Sequence, residues 1–234
     1  YRSPAGRWTP ARAPPPRGAG YAWAMVSKPE LRVSVFSDYV CPFCYLGSRR
    51  LMSLDEDFDL YVNWCGLEIH PEVPQHGMPL EELGYTAEAW RALLASMERL
   101  AAEDGLDLRL PPRVASSRKA LLLSEAAKEA GRSAFYRLHH ALFRACFEHG
   151  RDIGDPGVLR ELAGEAGLSA VQVDCAWSEA RFGQRLAMNR RFALELGIAA
   201  TPTYVFGRRL VRGAVEVAEL RHAARASLSA AAPR

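Results

Sequence analysis

The spacing of apolar positions changes character twice along this chain. Residues 31–37, LRVSVFS, alternate apolar and polar side chains over a run rich in branched residues, which predicts a strand. From Pro42 to about Leu54 the residues Phe43, Leu46, Leu51 and Leu54 recur at roughly helical spacing, and Pro42 occupies a first helical position, where its missing N–H costs nothing. Residues 58–69, FDLYVNWCGLEI, then read as a second strand, and a strand–helix–strand unit is by default a right-handed crossover.

A loop punctuated by Pro and Gly follows, HPEVPQHGMPLEELG, and beyond it the period becomes helical throughout. Helices are predicted at 86–104, 116–130, 133–148, 156–166, 169–178 and 181–196, with breaks at Gly105, Gly131, Gly150 and Gly167. Phe135, Leu138, Leu142 and Cys146 form one apolar stripe, as expected of a helix packed on other helices. GRDIGDP marks a helix junction, with Asp155 as N-cap and Pro156 at the first helical position.

The pattern then reverts to strand. Tyr204-Val205-Phe206 and Leu210-Val211 are joined through Gly207-Arg208, which suits a tight hairpin with glycine first in the turn, and a helix from about Val215 to Leu228 closes the chain. The order β-α-β, helical block, β-β-α makes a sheet only if the block is an insertion that lets the outer strands meet. The expected class is therefore α/β with an inserted all-helical domain.

Composition narrows the function classes. The 234 residues are 49% apolar and 24% charged, ordinary for a folded chain, and no run approaches the roughly 20 apolar residues of a membrane span. No basic start with an apolar run behind it suggests export, so a cytoplasmic protein without a membrane partner is expected. The net charge of +3 is unevenly spread: residues 1–29 hold Arg2, Arg7, Arg12, Arg17 and Lys28 without an acid, leaving 25 bases to face all 27 acids in the remainder. A slightly acidic fold argues against a nucleic-acid surface. The same 29 residues hold six of the 15 prolines and show no periodicity, which predicts a disordered tail; Met25, close before the first strand, leaves open whether that tail is native.

Five cysteines, of which only Cys41 and Cys44 are close in sequence, do not make a secreted disulfide framework. Cys65, Cys146 and Cys175 sit in apolar patterns and read as small core hydrophobes. Cys41-Pro42-Phe43-Cys44 leaves three readings open. As a redox couple, Cys41 at the helix N-terminus would have its thiolate favoured by free amides and the helix dipole, and Cys44 would attack its sulfur to resolve a mixed disulfide. A structural zinc site needs about four ligands, and the chain offers no second CxxC, only the pair His70 and His76 in the Pro-rich loop. Two ordinary core thiols are the third reading. A c-type haem would need His where Tyr45 stands. A second feature, ATPTYVF, places Pro202 directly before a short strand, where a cis Thr201-Pro202 turn facing the cysteines would leave the Thr201 backbone free to bond an extended peptide. His70 and His76, with Glu68, read as solvated loop residues or a polar rim; His139 and His140 as one packed and one exposed; Phe36, Tyr45 and Trp64 as core or groove wall.

With SDYVCPFCYLGSRR, LEIHPEVPQHGMPLEELG, HALFRACFEHGRDIGDPGVLRELAGEAGL and LGIAATPTYVFGRRLVRGA together, the chain from about Leu31 to Ala224 resembles the DsbA-like branch of the thioredoxin superfamily, near its FrnE-like and 2-hydroxychromene-2-carboxylate-isomerase-like members. The resemblance implies a thioredoxin-like domain from 30–85 and 198–234 and an inserted helical domain at 86–197, and leaves the tail at 1–29 outside it. It implies Cys41 as the attacking and Cys44 as the resolving cysteine, Pro202 as the cis-proline, and Thr201, Pro42 and Phe43 as substrate-binding. No bound cofactor or metal is implied beyond the redox-active disulfide itself, and the partners implied are protein or small-molecule thiols and disulfides. Oligomeric state is left open. The dipeptide Pro-Phe departs from DsbA proper, since Phe43 offers the thiolate neither charge nor hydrogen bond, and strong-oxidant behaviour does not transfer. In a reducing compartment, reductase or isomerase duty is the expectation. The alternative within the resemblance is a glutathione-dependent isomerase or kappa-type transferase, where a serine usually replaces the first cysteine. A peptide clamp that binds without redox chemistry is a third option.

Overall fold

The computed structural model describes residues 28–231 except positions 110 and 112. All but the last two residues of the expected tail lie outside the described residues. Strand β1 (Glu30–Ser37) leads through a turn into α1 (Pro42–Met52), and a short 3-10 turn carries the chain into β2 (Asp59–Gly66). β1 and β2 pair in parallel from Glu30↔Asp59 to Ser37↔Gly66, as a crossover through α1 requires. Val33, Val35, Leu60 and Trp64 bury one sheet face, the period-two reading of the sequence.

Between β2 and the helix expected at 86–104 lies a short strand that the sequence did not signal. Strand β3 (Met78–Pro79) precedes a 3-10 turn at Leu80–Leu83 and helix α2 (Ala87–Glu103), and β4 (Arg113–Val114) pairs antiparallel with β3. Two-residue strands carry no periodicity, and one of these contains a proline, so no pattern announced them. Then come α3 (Arg118–Glu129), α4 (Arg132–Phe147), α5 (Pro156–Glu165), α6 (Ala170–Ser178) and α7 (Ala180–Glu195). Thr86 caps α2 through Ala89 N–H, Asp155 caps α5 through the amides of Gly157 and Val158, and Ser169 with Gln172 forms a capping box on α6.

Strands β5 (Thr203–Phe206) and β6 (Arg209–Arg212) form the hairpin, and α8 (Val217–Ala231) ends the chain. Gly207 begins the turn with φ +60°, a conformation that disfavours any other residue. β5 pairs antiparallel with β1 at Ser34↔Val205 and Phe36↔Thr203, giving the sheet order β2-β1-β5-β6. That pairing carries the chain beyond the helical block back beside the end of β1. One continuous apolar core joins the sheet to the helices, with Val35 and Tyr204 in the same cluster as Leu138, Phe143 and Leu159.

Arg50 ties these parts together. Its buried guanidinium donates to Asp104 at 2.8 Å, to Glu103 at 3.2 Å and to the Ala214 carbonyl at 3.0 Å, so α1, the end of α2 and the loop before α8 meet on one side chain. His139 does the same on the other side of α1: Tyr39 Oη lies 3.0 Å from its Nδ1 and Ser48 Oγ 2.9 Å from its Nε2. As expected, His139 is packed and His140 exposed.

Candidate active site

Cys41 is the N-cap of α1, with Pro42 at the first helical position. Its carbonyl accepts from Cys44 N–H at 3.0 Å, and its own amide donates to the Asp38 carbonyl at 3.2 Å. The turn therefore holds both cysteines on the first helical turn. The Thr201–Pro202 peptide bond is cis. Cys41 Sγ–H donates to the Thr201 carbonyl at 3.6 Å, and Gly213 N–H fixes the Pro202 carbonyl at 2.8 Å. The structure brings Cys41, Cys44, Thr201 and Pro202 together from opposite ends of the chain.

The two thiols are not equivalent. A hydrogen bond from the Cys44 thiol holds the Cys41 thiol below its ordinary pKa; the Thr201 hydroxyl and the Cys44 amide act in the same sense, against burial and the Asp38 charge. Cys44 is pushed well above its ordinary value, first by burial and then by Cys41. Of the two, the sulfur nearer the helix end is therefore the one that gives up its proton more readily.

Asp38, three residues before Cys41, is a buried carboxylate missed by pattern reading. It accepts from Ile69 N–H at 2.9 Å and Ser117 Oγ at 3.0 Å, and burial raises its pKa to about 6. An acid at the end of an otherwise apolar strand was the available signal.

Beside Cys41 lies a cavity of about 100 Å³ whose walls include Phe43, Ile69, Leu83, Trp90 and Phe147. No carboxylate, lysine or arginine lines it among the described residues. Pro42, Phe43 and His70 border it, whereas His76 lines a different cavity with Cys146. Phe36, Tyr45 and Trp64 are core residues and stay out of the Cys41 cavity. Cys65 and Cys146 are buried as expected; Cys175 is not, because on α6 it lies on the half-exposed side beside Glu179.

A wider concavity, about 710 Å³, lies along the middle of β1 and β2 and has no thiol in its lining. Its cations are committed: Arg32 to Glu30 at 2.7 Å, Lys128 to Glu125 at 2.6 Å, and Arg132 to the Leu60 carbonyl at 3.2 Å. Among the described residues no three His, Cys, Asp or Glu side chains converge as metal ligands, and no helix is long and apolar enough to cross a membrane.

The chain belongs to the DSBA-like thioredoxin domain family, which matches residues 32–225. Its fold is the thioredoxin-like DsbA fold, a mixed sheet carrying a helical insertion. The uncharacterised protein YwbO of Bacillus subtilis is 28% identical over 189 residues, covering 79% of this chain and 90% of that protein. The crystal structure of a probable DsbA oxidoreductase from Streptomyces coelicolor superposes with a TM-score of 0.76 at 26% identity, covering 88% of this chain and 93% of that one. A 2-hydroxychromene-2-carboxylate isomerase superposes at 0.66 with 17% identity, covering 86% of this chain and all of that one, a likeness of fold.

Proposed function

We propose that this protein is a thiol–disulfide oxidoreductase in which Cys41 exchanges with substrate and Cys44 resolves. The observation that carries the reading is the asymmetry of the pair: Cys41 at the helix N-terminus is held toward thiolate, while Cys44 in the same turn is held as thiol. The Cys41 thiolate attacks one sulfur of a substrate disulfide and releases the other as a thiolate, leaving a mixed disulfide. Cys44 then attacks Cys41, the bond to substrate breaks, and the proton lost by Cys44 goes to the departing thiolate. The substrate disulfide is reduced by two electrons and the Cys41–Cys44 pair is oxidised to a disulfide.

Thr201 and Pro202 serve as the backbone rail along which an extended polypeptide lies, since Thr201 already touches the reacting sulfur. Pro42 and Phe43 border the cavity beside Cys41 and contact whatever flanks the substrate sulfur. Phe43 supplies no donor to the thiolate, so the pair favours reduction or isomerisation of disulfides in the reducing cytoplasm that we assign to it. No resident cofactor takes part in this reading.

Reduction of insulin by dithiothreitol tests the proposal. The protein should accelerate it, and Cys41→Ser should abolish the acceleration; no acceleration by the unaltered pair would overturn the assignment. The glutathione-dependent isomerase reading is favoured by one observation, the apolar cavity beside Cys41, which suits a small apolar substrate. Calorimetric binding of glutathione to Cys41→Ser, with no insulin reduction by the unaltered protein, would select it.

A further inference from the structure

Among the described residues, Tyr204 Oη is the single buried side-chain oxygen or nitrogen without a hydrogen-bond partner. Tyr204 belongs to β5, two residues beyond Pro202, and none of it reaches solvent. Its hydroxyl comes up against the underside of α1 because residue 47 has no side chain: a Cβ on Gly47 would lie 2.1 Å from Tyr204 Oη and 3.0 Å from Pro202 Cγ. Gly47 follows Cys44 by three positions, so the two share a helix face. The orphan hydroxyl and the Cys44 thiol therefore lie under the same stretch of helix.

A buried hydroxyl with no partner destabilises the fold that contains it, and phenylalanine would fill the site without that penalty. The hydroxyl makes physical sense near a group that gains charge only during the reaction, whose charge then draws the donor into a hydrogen bond that the thiol state lacks. Cys44 is such a group. Cys41 already has donors in Cys44 and Thr201, whereas the Thr201 and Ser37 side chains beside Cys44 do not offset its burial.

We propose that the Tyr204 hydroxyl donates a hydrogen bond to the Cys44 thiolate as that thiolate forms to resolve the mixed disulfide. The proposal rests on the exchange reading above. Cys44 S–H gives its proton to the departing substrate thiolate, its sulfur bonds to Cys41, and the Cys41–substrate bond breaks; Tyr204 keeps its own proton throughout. Burial pushes the phenol far above its ordinary pKa, and charge on Cys44 and Cys41 pushes it further, so it donates without ionising.

One equivalent of 5,5′-dithiobis(2-nitrobenzoate), followed by stopped flow, separates the steps. The first thionitrobenzoate leaves when Cys41 attacks, and the second when Cys44 displaces its partner from Cys41. In Tyr204→Phe the first phase should stay within about twofold, the second should slow by about tenfold, and the melting temperature should not fall. An unchanged second phase would overturn the donor role alone, as would a clear drop in melting temperature, which would give the hydroxyl a structural partner. Absence of the first phase in the unaltered protein would instead remove the exchange reading and this role with it.

Discussion

The Cys41 thiol lies 3.6 Å from the carbonyl oxygen of Thr201, a residue 160 positions further along the chain. The contact exists because β5 pairs with β1, so the residues just before β5 come to lie beside those just after β1. The two segments to which the proposed exchange gives substrate capture are thus brought together by the sheet.

The first consequence concerns selectivity among five thiols. Cys41 is held toward thiolate, while burial pushes Cys65 up to about 11 and Cys146 higher still. Brief treatment with iodoacetamide at pH 7 should alkylate Cys41 ahead of Cys44, Cys65 and Cys146, read by peptide mass spectrometry. Cys41 modified no faster than Cys65 would contradict the assigned asymmetry.

Arg50 is expected to matter for stability more than its surface position on a helix diagram suggests. Its side chain is 5% exposed, while its partners Asp104 and Glu103 are 20% and 42% exposed. Loss of a fully buried pair typically costs about 3–5 kcal/mol; with partners this exposed, Arg50→Met should cost about 2 kcal/mol. Urea unfolding would measure it, and a midpoint equal to that of the unaltered protein would refute the clamp.

Two buried groups give opposite pH dependences. Asp38 holds its proton up to about pH 6 in the fold but only to about 4 when unfolded, so its contribution is full below pH 4 and is lost as pH rises through 6. The loss amounts to about 3 kcal/mol. Burial lowers the pKa of His139 well below its ordinary value, so the fold resists its protonation and its contribution is lost as pH falls below about 6.5. The stability of Asp38→Asn relative to the unaltered protein should therefore rise between pH 4 and 6, and that of His139→Gln should rise as pH falls below 6.5. Flat difference curves would count against buried titration at either position.

Gly47→Ala places a methyl group 2.1 Å from Tyr204 Oη, which forces a shift costing about 1–3 kcal/mol. Adding Tyr204→Phe should recover part of the lost melting temperature. Equal melting temperatures for the single and double variants would show that the strain lies elsewhere.

The legible part of this molecule is what local pattern controls. Pro42 after Cys41 marked a helix start, Gly207 marked a turn, and Asp155-Pro156 marked a cap, each because the backbone at that point restricts residue choice. The illegible part depends on partners remote in sequence. Ser117 reaches Asp38 across 79 positions, and the Cys41 cavity is lined by Leu83, from the turn after a two-residue strand that has no period, and by Trp90 of α2, a helix that was legible while the neighbours of its side chains were not. Tyr204 read correctly as a strand residue; its unpaired hydroxyl becomes apparent only once β5 lies under α1.

The most direct test is to equilibrate the protein in glutathione buffers of graded redox ratio, quench with acid, alkylate and map the disulfides by mass spectrometry. The account predicts one reversible intramolecular disulfide, Cys41–Cys44, that appears at a defined ratio and is absent from Cys41→Ser. A pair that stays reduced across the series, or a first disulfide that engages Cys65, Cys146 or Cys175, would contradict it.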